Sequence, residues 1–220
     1  MAAHSPEDPI STIPGQIATN RLLPVVTIED AAAAPALGEA LRRGGLPCAE
    51  ITLRTPAAED ALKALAANDD LLVGAGTVLN EKQAGRVIDL GARFVVTPGF
   101  SLSVVRHCQA RGIPVFPGIA TSTELMMALD AGIDTVKFFP AERLGGLATL
   151  KALAQPFGMV KFIPTGGVSA ANVRDYLAHP SVPAAGGSWM VPVSLINGGR
   201  FDEIERLTTE AAAIATGDTD

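Results

Sequence analysis

Residues 71–119, LLVGAGTVLNEKQAGRVIDLGARFVVTPGFSLSVVRHCQARGIPVFPGI, hold three apolar runs separated by two longer stretches, which close on Gly91 and Gly112. The runs LLVGAGT, FVVTPG and PVFPGI begin at residues 71, 94 and 114. That distance is about what a strand, a helix and two loops require. A glycine just past the last helical turn supplies the left-handed cap that ends a helix before the next strand. The same unit recurs on both sides of this stretch. LLPVVTI from Leu22 and AEITLR from Ala49 precede it, and TVKFFPA from Thr135, KFIPTGG from Lys161 and AAGGSWM from Ala184 follow. Between the runs, Leu37, Ala40 and Leu41, then Leu62, Leu65 and Ala66, show helical spacing, and Gly44, Gly45 and Gly132 mark further helix ends.

Near-continuous apolar strands alternating with helices predict a parallel sheet covered by helices, and eight such units close it into a single-domain α/β fold, the (β/α)8 TIM barrel. The expected boundaries are 1–20 for a segment leading in and 21–220 for the barrel. A doubly wound open sheet is the rival. It usually needs fewer strands and carries a glycine-rich fingerprint after the first one, whereas LLPVVTIEDAA has no glycine.

Composition narrows the function. The 220 residues suffice for one substantial core, and 17 Lys and Arg against 23 Asp and Glu give a formal charge of -6, which leaves no basic surface for a nucleic acid backbone. No uninterrupted apolar run of about 18 residues could cross a bilayer. The first twenty residues contain no Lys or Arg and no apolar block, so a cytoplasmic location is expected. Cys48 and Cys108 form no CxxC or Cys/His pattern and read as reduced thiols.

In such a barrel the chemistry sits where strands end, so polar residues late in a strand are the informative ones. In AEITLRT, Glu50, Thr52 and Arg54 share one face by the period of two, with Ile51 and Leu53 on the other. A buried carboxylate and guanidinium are costly unless paired or used, so the stripe points to an active site or to a structural Glu50/Arg54 ion pair. Five lysines are present. Lys63, Lys82 and Lys151 fall in helical segments, and Lys161 opens its strand near the barrel floor. Lys137 lies late in TVKFFPA, between Val136 and Phe138. An ammonium in poor solvation, near a cation such as Arg54, gives up its proton more readily and becomes a nucleophile toward carbonyls. The resulting Schiff base drains electrons from a neighbouring carbon–carbon bond. Pairing of Lys137 with Glu50 is the plain alternative, and it is compatible with catalysis because Glu50 could then move the protons.

Two glycine pairs follow the last two strands, in PTGGV (164–168) and AGGSW (185–189). Loops at those places in a barrel commonly cradle phosphate, since glycine lets backbone N–H groups approach the oxygens; ordinary tight turns are the other reading. VSAANVRDYL reads as a helix with Ser169 near its cap, which would add a favourable dipole. In GAGT (74–77) the glycines allow close packing, and Thr77 could donate a hydrogen bond inward.

At AEITLRT, GAGTVLN, VVTPGF, PGIATSTELMMALDAG, KFFPAE, FIPTGGVSAANVRDYL and GGSWMVP, in this order from about Leu22 to Pro192, the chain resembles the 2-keto-3-deoxy-6-phosphogluconate (KDPG) and 4-hydroxy-2-oxoglutarate (KHG) aldolases. The resemblance implies a Schiff-base lysine at Lys137 and a general acid/base at Glu50. It implies that Arg54 and Thr77, with Thr165 nearby, hold the pyruvyl carboxylate and keto region, and that Pro98 and Phe139 wall the pocket. Gly166, Gly167, Gly187 and Ser188 would receive the phosphate. It implies reversible cleavage of the phosphorylated keto-deoxy acid to pyruvate and glyceraldehyde 3-phosphate in the Entner-Doudoroff pathway, by a homotrimer with no metal or other cofactor. Related enzymes act on the 6-phosphogalactonate analogue, and the GGSW loop favours the gluconate branch. Ile163 stands where that family often has cysteine, and neither Arg21 nor the opening segment receives a role.

Three other classes compete on the residues alone. A metal-dependent aldolase or epimerase needs a ligand set, yet His4, His107 and His179 lie in the opening segment or in helical regions. A phosphosugar isomerase would share the glycine cradle but needs no strand lysine. A binding protein would need no Glu50/Lys137 pair.

Overall fold

The computed structural model describes residues 12–217. Nine strand segments run in chain order: β1 (Leu22–Val26), β2 (Cys48–Thr52), β3 (Leu72–Gly76), β4 (Val95–Val96), β5 (Val115–Phe116), β6 (Gly118–Ile119), β7 (Thr135–Phe138), β8 (Lys161–Pro164) and β9 (Ala185–Gly187). All pairings are parallel. One sheet has the order β5-β4-β3-β2-β1-β9 and the other β6-β7-β8. Only Pro117 separates β5 from β6, and a bridge between Thr165 and Gly186 joins β8 to β9, so the two sheets form eight staves of one closed (β/α)8 barrel. The open-sheet alternative is excluded by this closure. Every apolar run read from the sequence supplies one stave.

The helices are α1 (Ile13–Asn20), α2 (Ala34–Arg43), α3 (Ala58–Ala66), α4 (Glu81–Asp89), α5 (Leu102–Ala110), α6 (Ser122–Asp130), α7 (Gly146–Ala154), α8 (Val173–Leu177), α9 (Val193–Asn197) and α10 (Phe201–Thr216). Gly45, Gly91, Gly112 and Gly132 have φ of 83°, 103°, 67° and 76°, so the expected left-handed closures stand after α2, α4, α5 and α6. The start of α6 is a capping box: Thr121 Oγ1 accepts from Glu124 N–H at 3.3 Å, and Glu124 Oε2 accepts from Thr121 N–H at 2.9 Å. No helix among the described residues is long and apolar enough to cross a membrane.

Strand alternation divides the apolar interior in two. Val26, Ile51, Val73, Val95, Val136 and Phe162 face outward and pack against helix residues such as Leu37, Leu62, Val87 and Leu150. Leu23, Cys48, Leu72, Phe94, Val96, Phe116, Ile163 and Ala184 face inward and fill the floor of the barrel. Phe94 and Phe116 meet edge to face with centroids 5.9 Å apart. Gly74 makes this packing possible, because a Cβ there would overlap the Phe94 ring.

Over its described part the segment before residue 21 is α1, which places Ile17 into the floor cluster with Ile13 against it. Arg21, at φ 57°, turns the chain from α1 into β1 and donates from Nη2 to Leu177 O at 2.8 Å. Residues 1–11 of that segment lie outside the described residues. The helix read over VSAANVRDYL is short, and Ser169 does not cap it. Asn172 takes up the local donors instead, accepting from Ser169 N–H at 2.8 Å, so residues 169–172 form a turn and the helix begins at Val173.

Candidate active site

Two side chains from opposite parts of the sequence meet inside the barrel above the floor cluster. Lys137 Nζ on β7 lies 2.9 Å from Glu50 Oε1 and 3.2 Å from Oε2 on β2. Lys137 is 6% exposed and Glu50 1%. The ion pair is therefore almost wholly withdrawn from water, and its desolvation is offset only by close geometry. Outward-facing Val136 and Phe138 bracket the lysine, as period-two alternation requires. Gly118 is its partner in register on β6 and Ile163 its partner on β8. The Phe139 ring centroid lies 5.3 Å from Nζ. The Glu50/Arg54 ion pair does not form; Glu50 turns to Lys137.

Glu50 fits because its neighbour in the sheet is small. Gly74 is its register partner on β3, and the space that a side chain on Gly76 would take holds the Glu50 carboxylate. Below Arg54 the strand face continues only as far as Thr52, whose hydroxyl donates to Val26 O at 2.8 Å and lies 3.0 Å from Thr27 Oγ1. The strand ends there and Arg54 N–H closes a tight turn on Thr52 O at 2.8 Å. Arg54 thus reaches the mouth from a turn and not from the strand face that simple alternation assigns to it. It is exposed, and it joins no ion pair among the described residues.

A cleft of about 110 Å³ opens over the pair, lined by Val25, Arg54, Lys137, Phe139, Thr165, Gly166, Gly167, Val168, Gly187 and Ser188. The structure therefore gathers most of the sequence-selected residues into one mouth. Thr77 and Pro98, after β3 and β4, are not in that lining. Thr77 has φ 59°, a left-handed backbone that a β-branched residue rarely adopts and that is often held at functional positions. Val25 was not selected from the sequence. It follows Leu23 by the period of two on the inward face of β1, in register with Glu50, and that alternation was its available signal.

The glycine end of the cleft, expected from the sequence to receive phosphate, is built on backbone. Gly166 and Gly167 have φ of 96° and 85°, a left-handed pair that turns successive peptide planes toward the mouth. Gly186 lets Thr165 approach, and Gly187 lies under the Trp189 ring, so neither position tolerates a Cβ. With α8 only five residues long and starting at Val173, this cradle draws on the glycine loop and not on a helix dipole. Lys161, as expected, stands away at the floor, donating to Pro180 O at 3.3 Å. Among the described residues no group of three or more His, Cys, Asp and Glu side chains is placed to hold a metal ion.

The model of the KDPG and KHG aldolase family matches residues 13–207. The chain belongs to that family. It is similar to the 2-dehydro-3-deoxy-phosphogluconate aldolase of Treponema pallidum, 48% identical over 195 residues that cover 88% of this chain and 93% of the relative. The KHG/KDPG aldolase of Escherichia coli K12 is 43% identical over 89% of this chain and 92% of its own. Among solved structures, the KDPG aldolase of Legionella pneumophila with pyruvate captured as a covalent carbinolamine superposes with a TM-score of 0.86. It is 40% identical and covers 89% of this chain and 95% of that one. As an aldolase of this family, the chain carries the matched region into α1 and α10, beyond the span from Leu22 to Pro192 that the motifs alone mark out.

Proposed function

We propose that the chain is a class I aldolase that cleaves KDPG to pyruvate and glyceraldehyde 3-phosphate, and that also takes 4-hydroxy-2-oxoglutarate, giving pyruvate and glyoxylate. The observation that carries this reading is the buried contact of Lys137 Nζ with Glu50, the cleft opening over it between Arg54 and the glycine cradle. Family membership supplies the substrate class.

In this mechanism Glu50 takes a proton from the Lys137 ammonium, and the free amine adds to the C2 carbonyl. Glu50 returns the proton through a water, so the carbinolamine oxygen leaves as water and an imine remains. Glu50, a carboxylate again, takes the C4 hydroxyl proton through the water, the C3–C4 electron pair moves into the protonated imine, and the aldehyde departs. Glu50 then gives that proton to C3 of the enamine, and addition of water to the imine releases pyruvate and restores Lys137. Arg54 binds the substrate carboxylate by a charge-assisted contact, aided by Thr77 and Thr165. Phe139 and Pro98 form walls, and the N–H groups of the Gly166–Gly167 and Gly187–Ser188 turns receive the phosphate. No step calls for a metal.

We also place the enzyme in a homotrimer. Leu102 on α5 and Met126 and Met127 on α6 expose 43%, 59% and 45% of their surface, large apolar side chains of the kind that a second copy would cover. Sedimentation tests the assembly. For the chemistry, the pure protein is incubated with pyruvate and borohydride, and the added mass is mapped by peptide mass spectrometry. A reduced adduct on Lys137 is expected. An adduct on another lysine, or none, overturns the reading.

A further inference from the structure

Behind the glycine cradle lies a contact that the chemistry above does not use. Tyr176, the one tyrosine of the chain, sits on α8 with 1% of its surface exposed, and its hydroxyl donates to Glu142 Oε1 at 2.5 Å. Burial, then the Glu142 carboxylate, pushes the phenol above its ordinary range, so it remains a donor across the working pH. Glu142 opens the single turn that follows β7 and Pro140. Its N–H donates to Gly166 O at 3.0 Å, and the preceding Ala141 N–H donates to Thr165 O at 2.8 Å.

The side chain of Glu142 also fills the place beside the second cradle glycine. A Cβ on Gly167 would come 2.6 Å from both Cβ and Cγ of Glu142, so the glutamate stem presses directly on that backbone. Gly146 leaves room for the head group, because a Cβ there would meet Glu142 Oε1 at 2.9 Å and the Tyr176 hydroxyl at 3.2 Å. Asn172 Nδ2 holds Gly167 O at 3.2 Å from the other side. Both cradle carbonyls are thereby tied back. Among the described residues no hydrogen bond uses the N–H of Gly167 or Val168, both of which line the cleft.

We propose that Glu142 and Tyr176 are positioning residues for the phosphate end of the substrate: Tyr176 anchors the Glu142 carboxylate, and the Glu142 backbone and stem fix the Gly166–Gly167 peptides in the orientation that receives phosphate. Neither touches the reacting carbons. The inference rests on the function proposed above and goes beyond it in separating phosphate recognition from the carbon–carbon chemistry.

The test compares wild type, Tyr176→Phe and Glu142→Ala on KDPG and on unphosphorylated 4-hydroxy-2-oxoglutarate, with inorganic phosphate as a competitive inhibitor of KDPG cleavage. Loss of a charge-assisted bond corresponds to about a tenfold change in affinity. Both variants should raise the KM for KDPG and the inhibition constant of phosphate by about that factor, with kcat on KDPG and kcat/KM on hydroxyoxoglutarate within about twofold of wild type. Equal losses on both substrates would mean general loosening and overturn the proposal, as would an unchanged KM for KDPG. If either variant fails to fold, Glu142→Gln, which keeps the stem and an acceptor for Tyr176, should show a smaller rise in KM on the same pattern; a rise shared by both substrates would again overturn it. Wild type that neither cleaves KDPG nor is trapped with pyruvate would remove the function itself, an outcome distinct from these.

Discussion

The carboxylate of Glu50 occupies the volume that a side chain at Gly76 would fill, with Cγ and Cδ of Glu50 only 2.6 Å and 2.7 Å from where a Cβ would stand. The carboxylate is thus held by what residue 76 lacks as well as by the lysine it meets. Gly76→Ala should push it off Lys137. The expected loss in kcat is of the order of 100-fold, the size of a misplaced general base, with a destabilisation of about 1–3 kcal/mol from overpacking. Steady-state kinetics and thermal melting check this; a folded variant with wild-type kcat would show that the carboxylate position is not critical.

Glu50→Gln keeps the shape and removes the proton acceptor. It should fold, bind pyruvate within about tenfold of wild type, and lose roughly 100- to 10,000-fold in kcat. An unchanged rate removes Glu50 from the acid/base role.

Under the proposed mechanism the Glu50/Lys137 pair serves chemistry and not stability. Lys137→Met alone leaves a carboxylate buried without its cation and should cost about 3–5 kcal/mol, whereas Glu50→Gln with Lys137→Met should recover most of that loss. Both should be inactive and give no borohydride adduct. Urea unfolding of the three proteins decides the point, and a double variant no more stable than the single one contradicts it.

Thr77 carries its left-handed φ of 59° at a cost of about 1–2 kcal/mol for a residue with a Cβ. Thr77→Gly should relieve part of that strain, leaving the melting temperature equal or higher, and should weaken pyruvate trapping by removing the hydroxyl. A variant that traps pyruvate as well as wild type would leave Thr77 with a backbone role only.

Burial pushes the Cys48 thiol up to about 12 and the Cys108 thiol up to about 11, from an ordinary value of 9.0. The unfolded chain loses these protons first as pH rises, so the stability linked to them is complete below about pH 9 and is lost as pH rises through about 11 and 12. Urea midpoints from pH 8 to 10.5 should fall for wild type more steeply than for Cys48→Ala/Cys108→Ala. A thiol reagent at pH 8 should label neither residue in the native protein and both after unfolding.

Much of the barrel was legible because its signals are periodic. Staves announced themselves as apolar runs at a regular spacing, and Lys137 stood out among the lysines as the one late in such a run. Glu50 was visible through alternation, while Arg54 was assigned to the right mouth by the wrong route, since alternation has no way to show that β2 stops at Thr52. Contacts across the barrel carry no local pattern. Gly76 against Glu50, Tyr176 against Glu142 and Ile17 in the floor each join residues far apart in sequence, and only the closed fold brings them together. The boundary of α8 was missed because Asn172 competes for the backbone donors that a helix starting at Ser169 would need.

The floor built from Ile17, Leu23, Cys48, Phe94 and Phe116 packs the barrel shut beneath Lys137, so the cleft over its amine opens at the mouth alone. Under the function proposed above, traffic has a set sequence. The keto acid arrives pyruvyl end first, the aldehyde fragment nearer the opening departs first, and pyruvate leaves last; in the synthetic direction, pyruvate is loaded before any aldehyde is joined to it.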